Sequence, residues 1–233
     1  MLSSLLTFAG CEKNPVIVPD DPIIPPSGNG LFTVSEDGNK VRFAPGNLEY
    51  DGSYHFAARQ YDYGRLFGWG TGSDPTLDSY YVRDYPAFDD WGSYIDGDWR
   101  TLSKKEWNYV IKDRSNASDK CGAATVCGVH GMVLLPDNFS GGTFTAGLNG
   151  WNTNVYDISS WSDMEAAGAV FLPAAGFYSD RGLFNIGSRG HYWSSTPLTE
   201  YYAYFIYFVD GQELSHNYCE RCDGMSVRLV QDY

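Results

Sequence analysis

Long apolar runs are missing from this chain, which has 233 residues and 43% hydrophobic side chains. No run reaches the roughly 18 residues that a membrane-spanning helix needs, so we expect a water-soluble body and, for any membrane attachment, another kind of anchor. Positive charge is also scarce, because 16 Lys and Arg stand against 29 Asp and Glu, for a net charge of -13. Counterion release from phosphates therefore offers little affinity, and we expect no nucleic-acid partner.

Repeats and hydrolytic motifs are absent as well. No period of 20 to 50 residues recurs, which argues against a propeller or a solenoid. The 4 histidines lie far apart along the chain. No Ser, His and Asp combination resembles a nucleophile elbow, so hydrolytic chemistry has no support and His55 and His130 are predicted to be structural.

Aromatic residues and glycine are abundant instead. The chain has 16% aromatic residues, including 18 Tyr, and 26 Gly. Tyrosine favours strands and glycine favours turns, so the composition predicts an α+β domain that is rich in short strands and has few helices. About 200 residues remain after a leader and a linker, which fits one domain better than two.

The N-terminal segment has the features of an export signal. Residues 1–11, MLSSLLTFAGC, resemble a bacterial lipobox, in which Cys11 would be lipidated after cleavage behind Gly10. Phe8 stands where leucine is usual, and no Lys or Arg precedes the apolar stretch. Residues 12–30 contain five prolines, which favour an extended tether between the anchor and a domain at 31–233.

Local signals predict the first elements of that domain. Alternating residues on both sides of the Asp37-Gly38-Asn39 turn predict a hairpin. The clearest helix lies within residues 99–114, where Ser103 and Glu106 fit a capping box. Its predicted buried face consists of Trp107, Val110 and Ile111.

Short apolar stretches predict further strands. Gly131–Pro136, Ala169–Pro173 and Tyr202–Val209 are each too short for a capped helix. Asp210-Gly211 then predicts a turn. We expect the alternating stretch Gly224–Val230 to pair beside Tyr202–Val209.

Five strings occur together in an order that is similar to one protein family. They are WRTLSKKEWNYV from 99, VLLPD from 133, FLPAAGF from 171, GSRGHYWSST from 187 and GMSVRLVQD from 224. The chain resembles the Fibrobacter succinogenes major paralogous domain proteins, which are surface lipoproteins of gut anaerobes related to formylglycine-generating enzymes. That resemblance implies a C-type-lectin-like fold over residues 31–233, and it says less about the ligand because sites are grafted onto folds.

A narrower resemblance concerns residues 189–230, which look like the variable region of proteins diversified by retroelements. Substituting the adenines of an AAC codon yields the residue types that crowd this region, whereas Trp193, Ser194, Gly224 and Arg228 look like scaffold positions. The alternative is an ordinary Tyr-rich strand pair. The predicted ligand-binding residues are His191, Tyr201, Tyr202, Phe205, Tyr207, Ser215, His216, Tyr218, Cys219, Cys222 and Asp223.

This chemistry suits recognition. Tyrosine offers a rigid amphipathic ring, and His, Ser, Asn and Asp offer adaptable hydrogen bonds. Tyr201, Tyr202, Tyr207, His216 and Tyr218 are the strongest contact candidates. We therefore expect a lipid-anchored protein at the outer membrane or cell surface that binds a protein or glycan ligand, without a cofactor and without enzymatic activity.

Two other functions stay open. The related formylglycine-generating enzymes bind copper through a cysteine pair near the C-terminus, and Cys219 and Cys222 would occupy that place in an oxidase. Their C-x-x-C spacing is shorter than in those enzymes, and the RGGSW-like and GFR strings are not reproduced. A domain on a tether could also be a structural subunit that caps a surface fibre.

The remaining cysteines and acids leave alternatives. An exported protein with four cysteines after Cys11 suits two disulfides, of which Cys121 with Cys127 and Cys219 with Cys222 are the simplest of three connectivities. The same four thiols would also suit a zinc site. The acids Asp89, Asp90, Asp96 and Asp98 suit either a calcium site or a solvated loop, and the sugar-binding strings EPN, QPD and WND are absent.

Overall fold

Short strands dominate the computed structural model of the chain, and helices are few, as the composition predicted. The predicted signal with Cys11 and residues 12–29 of the predicted tether lie outside the described residues. The structure describes residues 30–73, 87–147, 150–211 and 215–233.

The described residues form small sheets connected by turns. The helices are α1 (Lys104–Asn108) and α2 (Ile158–Ala166). The strands in chain order are β1 (Phe32–Thr33), β2 (Lys40–Phe43), β3 (Leu48–Tyr50), β4 (Tyr54–Phe56), β5 (Trp99–Thr101), β6 (Cys121–Val126), β7 (Val129–Leu134), β8 (Val155–Tyr156), β9 (Val170–Pro173), β10 (Phe177–Ser179), β11 (Gly182–Phe184), β12 (Arg189–Pro197), β13 (Tyr202–Val209), β14 (Ser215–Glu220) and β15 (Leu229–Asp232).

The beginning and the end of the described domain meet in one sheet. The predicted first hairpin is confirmed, since β1 and β2 are antiparallel on either side of Gly38, whose φ of 82° suits a residue without Cβ. Strand β15 then lies between β2 and β5, which gives the order β1-β2-β15-β5. The two ends of the domain are thereby held together.

The expected partner of the last segment was wrong. We expected Gly224–Val230 to pair beside β13, but the predicted turn at Asp210-Gly211 sends the chain directly back as β14, which takes that position. Closing such a short hairpin costs less chain entropy than a distant pairing. The last segment runs beside β12 instead, through the Tyr192 to Ser226 bridge, before β15 joins the terminal sheet.

The capping box at the start of α1 is confirmed. The Ser103 hydroxyl accepts the N–H of Glu106, whose carboxylate accepts the N–H of Ser103 at 2.7 Å. The helix is shorter than predicted, because residues 99–101 form strand β5 and the helical turns after Asn108 are π-helical. The predicted buried face is confirmed, since Trp107, Val110 and Ile111 are all buried.

The three predicted apolar strands are β7, β9 and β13. Strands β7 and β9 are neighbours in a sheet with the order β8-β6-β7-β9, and β13 is the middle strand of the sheet β12-β13-β14. Helix α2, which we did not predict, begins after the N-cap Asp157 and buries Trp161 and Met164. The N3 residue of α2 is a serine, so the glutamate that usually signals a capping box is missing.

A buried arginine joins distant parts of the chain. Arg228 is 1% exposed, and its guanidinium donates to Asn47 Oδ1 at 3.0 Å, to the Ala44 carbonyl at 3.0 Å and to the Phe171 carbonyl at 2.7 Å. Burial lowers its pKa to about 10. The neutral acceptors that surround this cation come from segments more than 100 residues apart, so Arg228 fixes the centre of the fold.

Candidate ligand-binding face

Strand β13 separates two faces of the C-terminal sheet. Successive side chains of a strand point to opposite sides, so Tyr202 and Tyr204 share a face that Phe205 and Tyr207 do not share. The register places Tyr218 of β14 opposite Tyr204, and Glu220 opposite Tyr202. Tyrosines from both strands therefore meet on the same side of the sheet.

We name the side chains of Tyr202, Tyr204 and Tyr218 the tyrosine face. The ring of Tyr218 is edge-on to that of Tyr202 at 6.0 Å between centroids and to that of Tyr204 at 6.3 Å. Such edge-to-face pairs are the favoured aromatic geometry. Tyr218 is 54% exposed, whereas Tyr202 and Tyr204 are half-buried, so the face combines a fixed base with an accessible ring.

A lysine from helix α1 completes one border of the tyrosine face. The Nζ of Lys104 lies 3.7 Å from the ring centroid of Tyr204, a cation–π distance. Ser103 caps the helix just before this residue, and the backbone N–H of Lys104 donates to Thr196 Oγ1 at 3.0 Å. The cap and the contact with β12 together place the ammonium group above the sheet.

His216 lies on the same side of the sheet, opposite the buried Ile206. Both of its ring nitrogens are shielded from solvent and neither has a hydrogen-bond partner. Burial lowers its pKa to about 4, and the charges of Lys104 and Lys112 act in the same direction. The imidazole is therefore neutral at pH 7 and within electrostatic reach of two cations.

Two predicted contact residues, His191 and Phe205, lie in the core rather than on the surface. His191 and Phe205 are each only 5% exposed and their rings are 5.5 Å apart, on the side of β13 that also carries Tyr207. Alternation along the strand sends them inward, which an enrichment of residue types cannot reveal. Tyr207 is half-buried, and the Cζ of Arg189 lies 5.9 Å from its ring centroid.

Two predicted residues lie near the ends of the hairpin strands. Tyr201 is 48% exposed in the turn before β13, and its carbonyl accepts the N–H of Arg221 at 3.0 Å. Ser215 opens β14 opposite Tyr207. Tyr201 directly precedes Tyr202 in the sequence, so it lies at the border of the tyrosine face.

The C-x-x-C segment forms a thiol and carboxyl cluster at the end of β14. Burial raises the pKa of Cys219, and its thiol bonds to the Asp223 carboxylate. Burial also raises the pKa of Asp223 to about 6. Cys222 is 8% exposed, and its Sγ lies 3.4 Å from a carboxylate oxygen of Glu220. Thiolates are disfavoured in such surroundings, which weakens both nucleophilic reactivity and metal ligation.

The expected disulfide between Cys121 and Cys127 was wrong. Cys121 begins β6 and Cys127 follows its last residue, so an extended strand separates their Cα atoms by about 20 Å. A disulfide needs Cα atoms within about 7 Å. The structure holds Cys121, Cys127 and Cys219 as thiols, so the expected bridge from Cys219 to Cys222 is not formed either.

Two of the four acidic residues that suggested calcium, Asp89 and Asp90, have structural partners. Asp90 accepts the N–H of Gly92 at 3.1 Å and both the N–H and the hydroxyl of Thr101, and Asp89 accepts the Tyr94 hydroxyl at 2.8 Å. Among the described residues, no group of three or more His, Cys, Asp or Glu is placed to hold a metal ion. The described helices also include none long and apolar enough to cross a membrane.

Residue types alone missed two members of the site. Tyr204 was not among the predicted contacts, although its even-numbered spacing from Tyr202 places both on one face of a strand. Lys104 was recognised only as part of a helix, since its contact with Tyr204 spans 100 positions. Compared with protein-family models, curated proteins and solved structures, the chain gives no match.

Proposed function

We propose that this chain is a recognition protein that binds a ligand at its tyrosine face. The observation that carries the proposal is the contact between Tyr202, Tyr204 and Tyr218 across two paired strands, with Tyr218 54% exposed. Tyrosine rings contribute a large contact area and lose little conformational entropy on binding. A paired sheet holds them in place before the ligand arrives, which lowers the cost of binding.

The proposed setting is the outer membrane or the cell surface. The lipobox-like residues 1–11 support a lipid anchor at Cys11, and the prolines of residues 12–30 support a tether. The five strings that resemble the Fibrobacter succinogenes family support a C-type-lectin-like fold, with which the few helices and many short strands agree. Loss of labelled fatty acid in a Cys11→Ala variant would be the result expected for the anchor.

We also propose that part of this region is diversified between related proteins. The residues that fit such variation include Tyr202, His216 and Tyr218, which share one side of the sheet, whereas the buried Trp193 and Arg228 fit an unvaried scaffold. A near-identical template repeat and a reverse transcriptase gene beside the reading frame would support this mechanism. A genome without them would leave a conventional binding domain.

The binding proposal is tested with a triple variant in which Tyr202, Tyr204 and Tyr218 are changed to Ala. Wild-type and variant proteins would be screened on the same glycan and protein arrays. We expect hits of the wild type to weaken at least about tenfold in the variant, because aromatic anchors commonly contribute more than 1 kcal/mol each.

The matched control is a double variant, Tyr178→Ala with Tyr233→Ala, which removes two exposed tyrosines from other parts of the surface. This double variant should bind like the wild type. Thermal unfolding of each protein shows whether it is folded under the conditions of the screen. A folded triple variant that keeps full binding would place the ligand site elsewhere.

A further inference from the structure

The border of the tyrosine face is a positive region on an acidic protein. The chain has 29 Asp and Glu against 16 Lys and Arg, so a lysine has many potential carboxylate partners. Lys40, Arg59, Arg100 and Arg114 all form ion pairs with carboxylates. Within the part of the chain that the structure describes, Lys104 and Lys112 have no carboxylate at ion-pair distance, a property that they share with some other surface cations such as Arg42 and Lys105.

His216 is a second, independent sign of an unmatched positive region. Its ring nitrogens have no hydrogen-bond partner, and the charged groups that act on it are Lys104 and Lys112 rather than any acid. The nearest acid on this face of β14 is Glu220, four residues farther along the strand, and its carboxylate lies near the Cys222 thiol. An anion at this end of the face would meet positive charge and little repulsion.

The edge of the sheet argues against an added peptide strand. Strand addition needs free backbone donors along an edge, and the edge strand that carries Tyr218 is β14. The N–H of Tyr218 at the middle of β14 is already bonded to Asn217 Oδ1 at 2.9 Å. Recognition by side chains is therefore favoured over recognition by the backbone.

The rings next to these charges suit a sugar. The negative face of an aromatic ring attracts the polarised C–H groups on one side of a pyranose. Tyr218 offers an exposed ring within 6.3 Å of Tyr204, whose other neighbour is the Lys104 ammonium. A sugar ring against Tyr218 would thus place a substituent acid near the lysines.

We propose that the tyrosine face and its lysine border bind an acidic saccharide, whose carboxylate or sulfate group is neutralised by Lys104 and Lys112. This inference rests on the proposed binding function of the same face and adds the chemical class of the ligand. Tyr218 packs against the sugar ring, and the lysines select for the acid. The contribution of each lysine is modest, because both remain near solvent, and it is screened by salt.

The experiment compares oligogalacturonate with its methyl ester, which keeps the sugar and removes the charge. Chondroitin sulfate represents the sulfate source, dextran a neutral saccharide and oligoglutamate an acidic peptide. Binding to the full chain is measured by titration calorimetry at low and high salt. We expect an acidic saccharide to bind at least about fivefold more tightly than the ester and dextran, and to weaken at high salt.

Charge variants locate the site. Lys104→Gln and Lys112→Gln should each weaken binding by about two- to fivefold and reduce the dependence on salt. Lys105→Gln is the matched control, since Lys105 is an exposed lysine of the same helix that does not act on His216. That control should bind like the wild type.

The outcomes separate this inference from the function on which it rests. Equal binding of the ester and the acid, with loss in the tyrosine triple variant, would keep the binding face and overturn the acidic ligand. Stronger binding of oligoglutamate than of either acidic saccharide would overturn the saccharide in favour of a peptide. The absence of binding to both acidic saccharides would also overturn the inference. If the triple variant kept the array hits of the wild type, the proposed binding function of this face would itself be wrong.

Discussion

Arg228 and Lys104 are cations in two different surroundings, one in the core and one at the tyrosine face. Arg228 is buried and donates to carbonyl and amide oxygens from two distant segments, whereas Lys104 lies over a tyrosine ring with no carboxylate at ion-pair distance in the described structure. A buried cation without partners would cost several kcal/mol, so its surroundings must satisfy it. A cation at the surface needs no such partner and remains available to a ligand. Arg228 therefore belongs to the fold, whereas the charge of Lys104 belongs to the candidate site.

Removing the buried cation should have the largest effect. We expect Arg228→Met to lower the free energy of unfolding by about 3–5 kcal/mol, because the Asn47, Ala44 and Phe171 oxygens would be left buried without a donor. Urea denaturation measures the change. Arg42→Met is the control, since Arg42 is an exposed arginine over the Tyr233 ring and should lose less than about 1 kcal/mol.

Equal losses in the two arginine variants would contradict the comparison. That outcome would mean that water reaches the acceptors around position 228, so the centre of the fold would not depend on the buried cation. A large loss for Arg228→Met alone would show that the two regions use positive charge differently.

The two histidines beside β13 extend the comparison to pH. Burial lowers the pKa of His191 from 6.5 to about 4. Between these values the unfolded chain takes up a proton that the folded chain does not bind, so stability falls as the pH drops from 6.5 to 4. His191→Gln should remove about 2–3 kcal/mol of this loss, as measured by urea denaturation of both proteins at pH 7 and pH 4.

His216→Gln is the matched variant on the other face. Its pKa is also lowered to about 4, but the side chain as a whole is only half-buried, so its share should be smaller than that of His191. Asp223 acts in the opposite direction, because its raised pKa of about 6 makes the folded chain bind a proton before the unfolded chain does. The wild type and both histidine variants contain Asp223, so its contribution cancels when their stabilities are compared. A larger effect for His216 than for His191 would contradict the deeper burial of His191.

Local patterns predicted local structure. The capping box at Ser103 and Glu106, the turn at Gly38 and the strand Tyr202–Val209 each depend on neighbours in sequence, and the structure confirms all three. The pairing of β15 with β2 and the contact of Lys104 with Tyr204 join residues about 100 or more positions apart. No pattern within a single segment contains that information. The candidate site was therefore only half predictable, since residue types indicated the tyrosines but not the faces on which they lie.

The smallest effect tests whether Lys104 belongs to the fold or to the ligand site. A double-mutant cycle of Lys104→Met and Tyr204→Leu should give a coupling energy of about 0.5–1 kcal/mol in urea denaturation, which is the contribution of an accessible cation–π pair. The same cycle with Lys105→Met should give a coupling near zero. A coupling above about 2 kcal/mol would mean that this lysine is committed to the fold, as Arg228 is. A small coupling would mean that the ammonium group of Lys104 interacts only weakly with the folded chain. The group could then bind the anionic group of an acidic ligand.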